Sequence, residues 1–118
     1  WFGHVSDDEI LFSLWENCGA YFHGHSVGGT NPALVQAMAL GAPTVARDTV
    51  FNREVLADSA IFVQPESNSI VAGVTTMMTE DGARIRYSTQ ASHRAEALYT
   101  WDYVCGGYER ALLGLLGR

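Results

Sequence analysis

The stretch "AYFHGHSVGGTNPALVQAMALGAPTVA", residues 20–46, decides the fold. "AYFHG" is a short apolar run of strand length. The glycine pair Gly28-Gly29 follows, then an Asn-Pro step, a helical run and a second short apolar run, "PTVA". Asn31 is a favoured N-cap and Pro32 is pre-shaped for the first helical position, so a helix is expected from Pro32 to Leu40, stopped by Gly41. Pro43 is acceptable only at the first position of its strand. Strand, glycine turn, helix and strand in that order make one unit of a parallel sheet with a crossover helix.

The rest of the chain extends the pattern in both directions. Upstream, Ser6 with Glu9 three residues later predicts a capping box, and Ile10, Leu11, Leu14, Trp15 and Cys18 recur at helical spacing. A helix over 7–17 follows, closed by Gly19 in a left-handed cap, with "WFGHVS" before it as the end of a strand or its loop. Downstream, "FNREVLAD" suits a short helix and "AIFVQP" a third strand. A helix over 67–79 would carry Ile70, Val71, Val74 and Met78 on one side. Residues 82–98 read as a polar, arginine-bearing helix. "WDYVCGGYERALLGLL" puts Val104, Tyr108, Leu112 and Leu115 on one stripe, weakened near its start by Gly106 and Gly107. The fold class is therefore α/β, a small Rossmann-like parallel sheet with flanking helices.

Composition bounds what this fold can do. The 118 residues are 47% hydrophobic, which suits one domain burying roughly two thirds of its unfolded surface. Thirteen acids stand against seven bases, all arginine, for a net charge of -6, and that balance argues against general nucleic-acid binding. It leaves room for a phosphate ligand, because backbone N–H groups hold anions without lysine. Cys18 and Cys105 fit no metal or redox spacing and are read as buried thiols in a reducing compartment. No apolar run is long enough to span a bilayer. The chain opens on Trp1 in mid-pattern, so residues 1–118 are expected to be a single domain cut from a longer protein.

Chemistry concentrates in the loop of the opening stretch. Gly28 and Gly29 admit positive φ and close approach of a ligand, and the helix that follows offers free N–H groups and its dipole. In open parallel sheets the ligand crevice lies at the carboxyl ends of the strands. A phosphate site and a plain strand-to-helix connection both fit this spacing. His23 and His25 alternate on one strand face but lack a third metal ligand; His23 reads as a satisfied interior or rim histidine, His25 as a group that bonds a ligand oxygen or holds the loop. Ser26 has no nucleophile partner or elbow motif.

From "GHVSDDEI" through "NREVL" to "YTWDYVCGGYE", the order of segments resembles the C-terminal, donor-binding domain of a retaining family 4 glycosyltransferase with two Rossmann-like domains, the GT-B architecture. "HGHSVGGTNP" is especially similar to rhamnosyltransferases of polysaccharide assembly. The resemblance implies an incomplete C-terminal half of that fold, whose parent enzyme transfers a hexose, rhamnose among the candidates, from a nucleotide sugar to a growing glycan. No cofactor or essential metal is implied. The partners implied are the nucleotide sugar, the glycan acceptor and a missing N-terminal Rossmann-like domain. The implied location is cytoplasmic, peripheral at the inner face of the membrane. The 118-residue piece alone is expected to turn over no sugar.

Carried over by residue, the resemblance assigns His25, Ser26, Gly28, Gly29, Thr30, Asn31, Pro32 and Gln36 to the donor, with Arg47, Arg53 and Glu54 as further candidates and no certain catalytic residue. Many relatives have two glutamates eight residues apart where this chain has Gly28 and Gln36. An amide at position 36 offers one carbonyl acceptor to a ribose diol where a carboxylate offers charge-assisted bonds. That substitution keeps open a second reading, a noncatalytic α/β interaction or regulatory domain derived from such an enzyme. Trp101 is expected as a core anchor.

Overall fold

The structure is a computed structural model and describes residues 1–117. Three strands, β1 (Tyr21–His23), β2 (Thr44–Arg47) and β3 (Ala60–Val63), form one parallel sheet in the order β1-β2-β3. Thr44 pairs with Tyr21 on one side and with Ala60 on the other. Six helices surround the sheet: α1 (Asp8–Asn17), α2 (Pro32–Ala39), α3 (Val50–Leu56), α4 (Ser67–Thr79), α5 (Ala83–Leu98) and α6 (Trp101–Leu116). The α/β class and the parallel sheet expected from the sequence are observed, and "WFGHVS" contributes no strand.

Alternation along β2 shows how the layers divide. Ala46 joins a core with Leu34 and Met38 of α2, Val55 and Leu56 of α3, and Ala91 and Ala95 of α5. Its neighbour Val45 points to the opposite face, where Val63, Met77 and Ala83 close a second core. Trp15 of α1 packs on Ala37 and Ala42 in a third. On α4 the buried stripe is Gly73 and Met77, with Ile70 and Val74 alongside, while Val71 and Met78 face outward. Gly73 is required there: a side-chain carbon would collide with Val63 and stand 3.2 Å from Val45 Cγ1. Close approach of α4 to the sheet outweighs the roughly 1 kcal/mol that a mid-helix glycine costs.

Several local expectations are corrected. The cap of α1 is Asp7, whose Oδ1 accepts from the Ile10 N–H at 3.1 Å, in place of the Ser6–Glu9 box. Gly19 does not adopt positive φ, and α1 ends at an extended Cys18. Cys18 is half-buried and Cys105 exposed, both free, so the buried-thiol reading fails for Cys105. Helix α6 is continuous through Gly106 and Gly107 yet buries no residue, and Trp101 is 83% exposed, so it is no core anchor. Of the stripe on α6 only Val104 is partly covered, while Tyr108, Leu112 and Leu115 are exposed. Among the described residues, no helix is long and apolar enough to cross a membrane.

Candidate functional site

All three strands point the same way, so the loops after β1 and β2 emerge at one edge of the sheet. Between them lies a cavity of about 150 Å³. One wall is the bend Val27–Pro32, and the other is Phe51 and Asn52 at the start of α3, with His23 and His25 also lining the cavity. No Asp, Glu, Lys or Arg side chain lines it. Any anion held here would be held by dipoles and amide hydrogens.

The bend is open. Gly28 has φ 131°, a conformation that strains any residue with a side chain, and nothing lies within 4 Å of where a side chain on Gly28 or Gly29 would stand. Among the described residues, the N–H groups of Gly28, Gly29, Thr30 and Asn31 have no acceptor. Four consecutive cavity-lining residues therefore carry amides without internal partners.

The free donors are not those expected at the helix start. Asn31 Oδ1 accepts from the N–H groups of Ala33 at 3.0 Å and Leu34 at 3.3 Å, and the Val35 N–H donates to the Asn31 carbonyl at 3.1 Å. Pro32 has no N–H to give. The first turn of α2 is thus fully spoken for, and its contribution to an anion is its dipole alone, about 0.3–1 kcal/mol. Asn31 shapes the bend through its cap, and its own N–H is the part left for a ligand.

The loop after β2 forms the opposite wall and is closed on itself. Thr49 Oγ1 caps α3 by accepting from the Asn52 N–H at 3.1 Å. Asn52 is 5% exposed, and its Nδ2 donates to the carbonyls of His25 at 3.1 Å and Arg47 at 2.8 Å. One amide side chain therefore ties the two loops together. Arg53 Nη2 donates to Asp48 Oδ2 at 2.9 Å, and its guanidinium lies 4.4 Å from the centre of the Phe62 ring. The hydrogen bond from Arg53 holds the Asp48 carboxyl below the usual carboxylate range.

At the end of β1, His23 is 1% exposed. Its Nδ1 is 3.0 Å from the Tyr21 hydroxyl, and its Nε2 has no partner. Burial first, and the charge of His25 second, push its pKa down to about 4, so the ring is uncharged near neutral pH. The His25 ring stacks on it, with centroids 4.8 Å apart and 21° between planes. The expectation of a satisfied histidine is corrected: one nitrogen is satisfied and the other is not.

The predicted residues thus divide. His25, Gly28, Gly29, Thr30, Asn31 and Pro32 come together around the cavity, whereas Ser26 lies off its lining. Gln36 sits one turn into α2, off the cavity lining, in an adjoining groove of about 460 Å³ between α2 and α6 that shares Thr30 and Pro32 with the cavity and also contains Trp101. Arg47, Arg53 and Glu54 do not line the cavity. Asn52, Phe51 and Val27 were not singled out from the sequence. The signal available for Asn52 was its place three residues after the cap-forming Thr49, at the start of a helix that enters the same edge. Among the described residues, no three His, Cys, Asp or Glu side chains gather as a metal ligand set. Comparison with protein-family models and with curated proteins gives no match.

Proposed function

We propose that this chain binds the diphosphate of a nucleotide-sugar donor, as the donor-side part of a glycosyltransferase that passes a hexose to a growing glycan. One observation carries the reading: the consecutive residues Gly28 to Asn31, whose amides have no partner among the described residues, line a cavity at the carboxyl edge of a parallel sheet. Preorganised N–H dipoles of this kind stabilise charge that develops on a leaving diphosphate without reorganisation during the reaction. The absence of carboxylates from the lining removes the repulsion that this acidic chain would otherwise impose. In this reading the catalytic unit includes a second Rossmann-like domain that brings the acceptor and further cations, works in the cytoplasm at the inner membrane face, and uses no resident cofactor.

A second reading, a noncatalytic interaction domain, draws on Gln36, which stands where the resembled family often carries a glutamate, and on the exposed apolar residues of α6. Calorimetric titration separates the two. Inorganic pyrophosphate and a panel of UDP-, dTDP- and GDP-hexoses should bind, and Gly29→Leu should abolish that binding by filling the cavity. Failure of every probe to bind would sink the donor-site reading in favour of the second.

A further inference from the structure

The His23 imidazole is the one buried side chain among the described residues with an orphaned polar atom, and it stands at the cavity. A buried donor or acceptor without a partner is costly, so an orphaned one at a cavity points to something outside the fold that satisfies it. The Tyr21 hydroxyl has His23 Nδ1 as its only side-chain partner, at 3.0 Å, and because a phenol is a better donor than acceptor we assign the bond as Tyr21 O–H donating to an unprotonated Nδ1. That assignment leaves the proton on Nε2, an N–H donor without an acceptor.

Resting on the donor-site reading above, we infer that His23 Nε2–H is a sugar-recognition group, donating to a hydroxyl oxygen of the hexose whose diphosphate the Gly28–Asn31 amides hold. The partner is an uncharged oxygen for a physical reason. A phosphoryl group against this ring would favour the imidazolium, which burial of His23 opposes, whereas a hydroxyl meets no such conflict. The diphosphate already has its donors in the bend. Access to Nε2 is controlled by His25, whose exposed ring covers His23 and makes no hydrogen bond of its own, so rotation of His25 uncovers the nitrogen as the sugar enters. His23 is then a specificity residue: it separates a nucleotide hexose from a bare diphosphate.

The test uses the unaltered chain with ¹⁵N-labelled imidazoles. Nucleotide hexoses should shift both the Gly28–Asn31 amide resonances and the His23 Nε2 resonance. Inorganic pyrophosphate should shift the amides alone. In parallel, His23→Phe should lower nucleotide-hexose affinity about tenfold, the loss of one net hydrogen bond, and leave pyrophosphate affinity unchanged. Saturating amide shifts with a stationary His23 Nε2 would overturn the inference while leaving the donor site intact. A His23 shift with pyrophosphate alone would overturn it too, because the contact would be to a phosphoryl group. If no probe moves the amides, the donor site falls and the inference falls with it. Should His23→Phe fail to fold, the unaltered chain still decides.

Discussion

The connections after β1 and β2 leave the same edge of the sheet and enter helices of similar length, yet they handle their polar groups in opposite ways. Between β1 and α2, the amides from Gly28 to Asn31 are left without partners among the described residues, and a side chain on either glycine would meet open space. Between β2 and α3, Thr49 caps the helix, Asp48 pairs with Arg53, and Asn52 satisfies two carbonyls at once. One loop is finished by folding alone. The other leaves its amides to water or to a ligand. Asn52 makes the contrast sharper, since the closed loop reaches across and fixes the open one through the His25 carbonyl. An open donor array is useful only if a rigid neighbour holds its shape.

The most damaging change should be Asn52→Ala. It strips two part-buried carbonyls of their donor and unties the loops, so destabilisation of about 1–3 kcal/mol is expected in urea unfolding, with loss of pyrophosphate binding. A change below 0.5 kcal/mol would mean that the two loops hold their shapes independently.

Acidification probes the same corner. The His23 pKa is lowered from an ordinary 6.5 to about 4, so the unfolded chain takes up a proton that the folded chain refuses between those values. Stability should be flat for this group above pH 7 and fall as pH drops from 6.5 to 4, by at most roughly 3 kcal/mol. The loss in the unaltered chain should exceed that in His23→Phe; equal losses would show that His23 is not shielded.

Gly29→Leu tests the open loop without disturbing the closed one. Because Gly29 has ordinary φ and empty space before it, stability should change by less than about 0.5 kcal/mol while pyrophosphate affinity falls at least tenfold. Unchanged affinity would place the ligand elsewhere. The smallest effect belongs to Asp48→Asn, which removes an exposed ion pair. No measurable shift in midpoint is expected, and a large one would make the surface pair a structural element of the loop.

Much of this was legible in the sequence. The Asn-Pro step, Gly41 and the length of the apolar runs set β1, α2 and β2 within a residue or so, because caps and glycine turns act locally. The cavity-lining run from Gly28 to Pro32 was legible for the same reason. What escaped depended on long-range contact. Asn52 reaches back 27 residues to His25, and no spacing rule encodes that. The orphaned Nε2 of His23 depends on Tyr21 taking the other nitrogen. The inward stripe of α4 was misread by choosing Val71 and Met78 over Gly73, since hydrophobicity hides a glycine that is needed for its lack of bulk. Trp101 failed as a core anchor because a large aromatic signals burial somewhere, and α6 buries none of its described residues.

The capped first turn of α2 and the uncapped bend before it differ in a way that one titration reads directly: backbone amide spectra of the chain as inorganic pyrophosphate is added. Saturable shifts confined to Gly28, Gly29, Thr30 and Asn31, with Ala33 and Leu34 nearly still behind the Asn31 side chain, are the predicted result. Stationary bend amides, or shifts spread over the arginine-bearing surface of α5 instead, would contradict the assignment of this loop as an anion cradle.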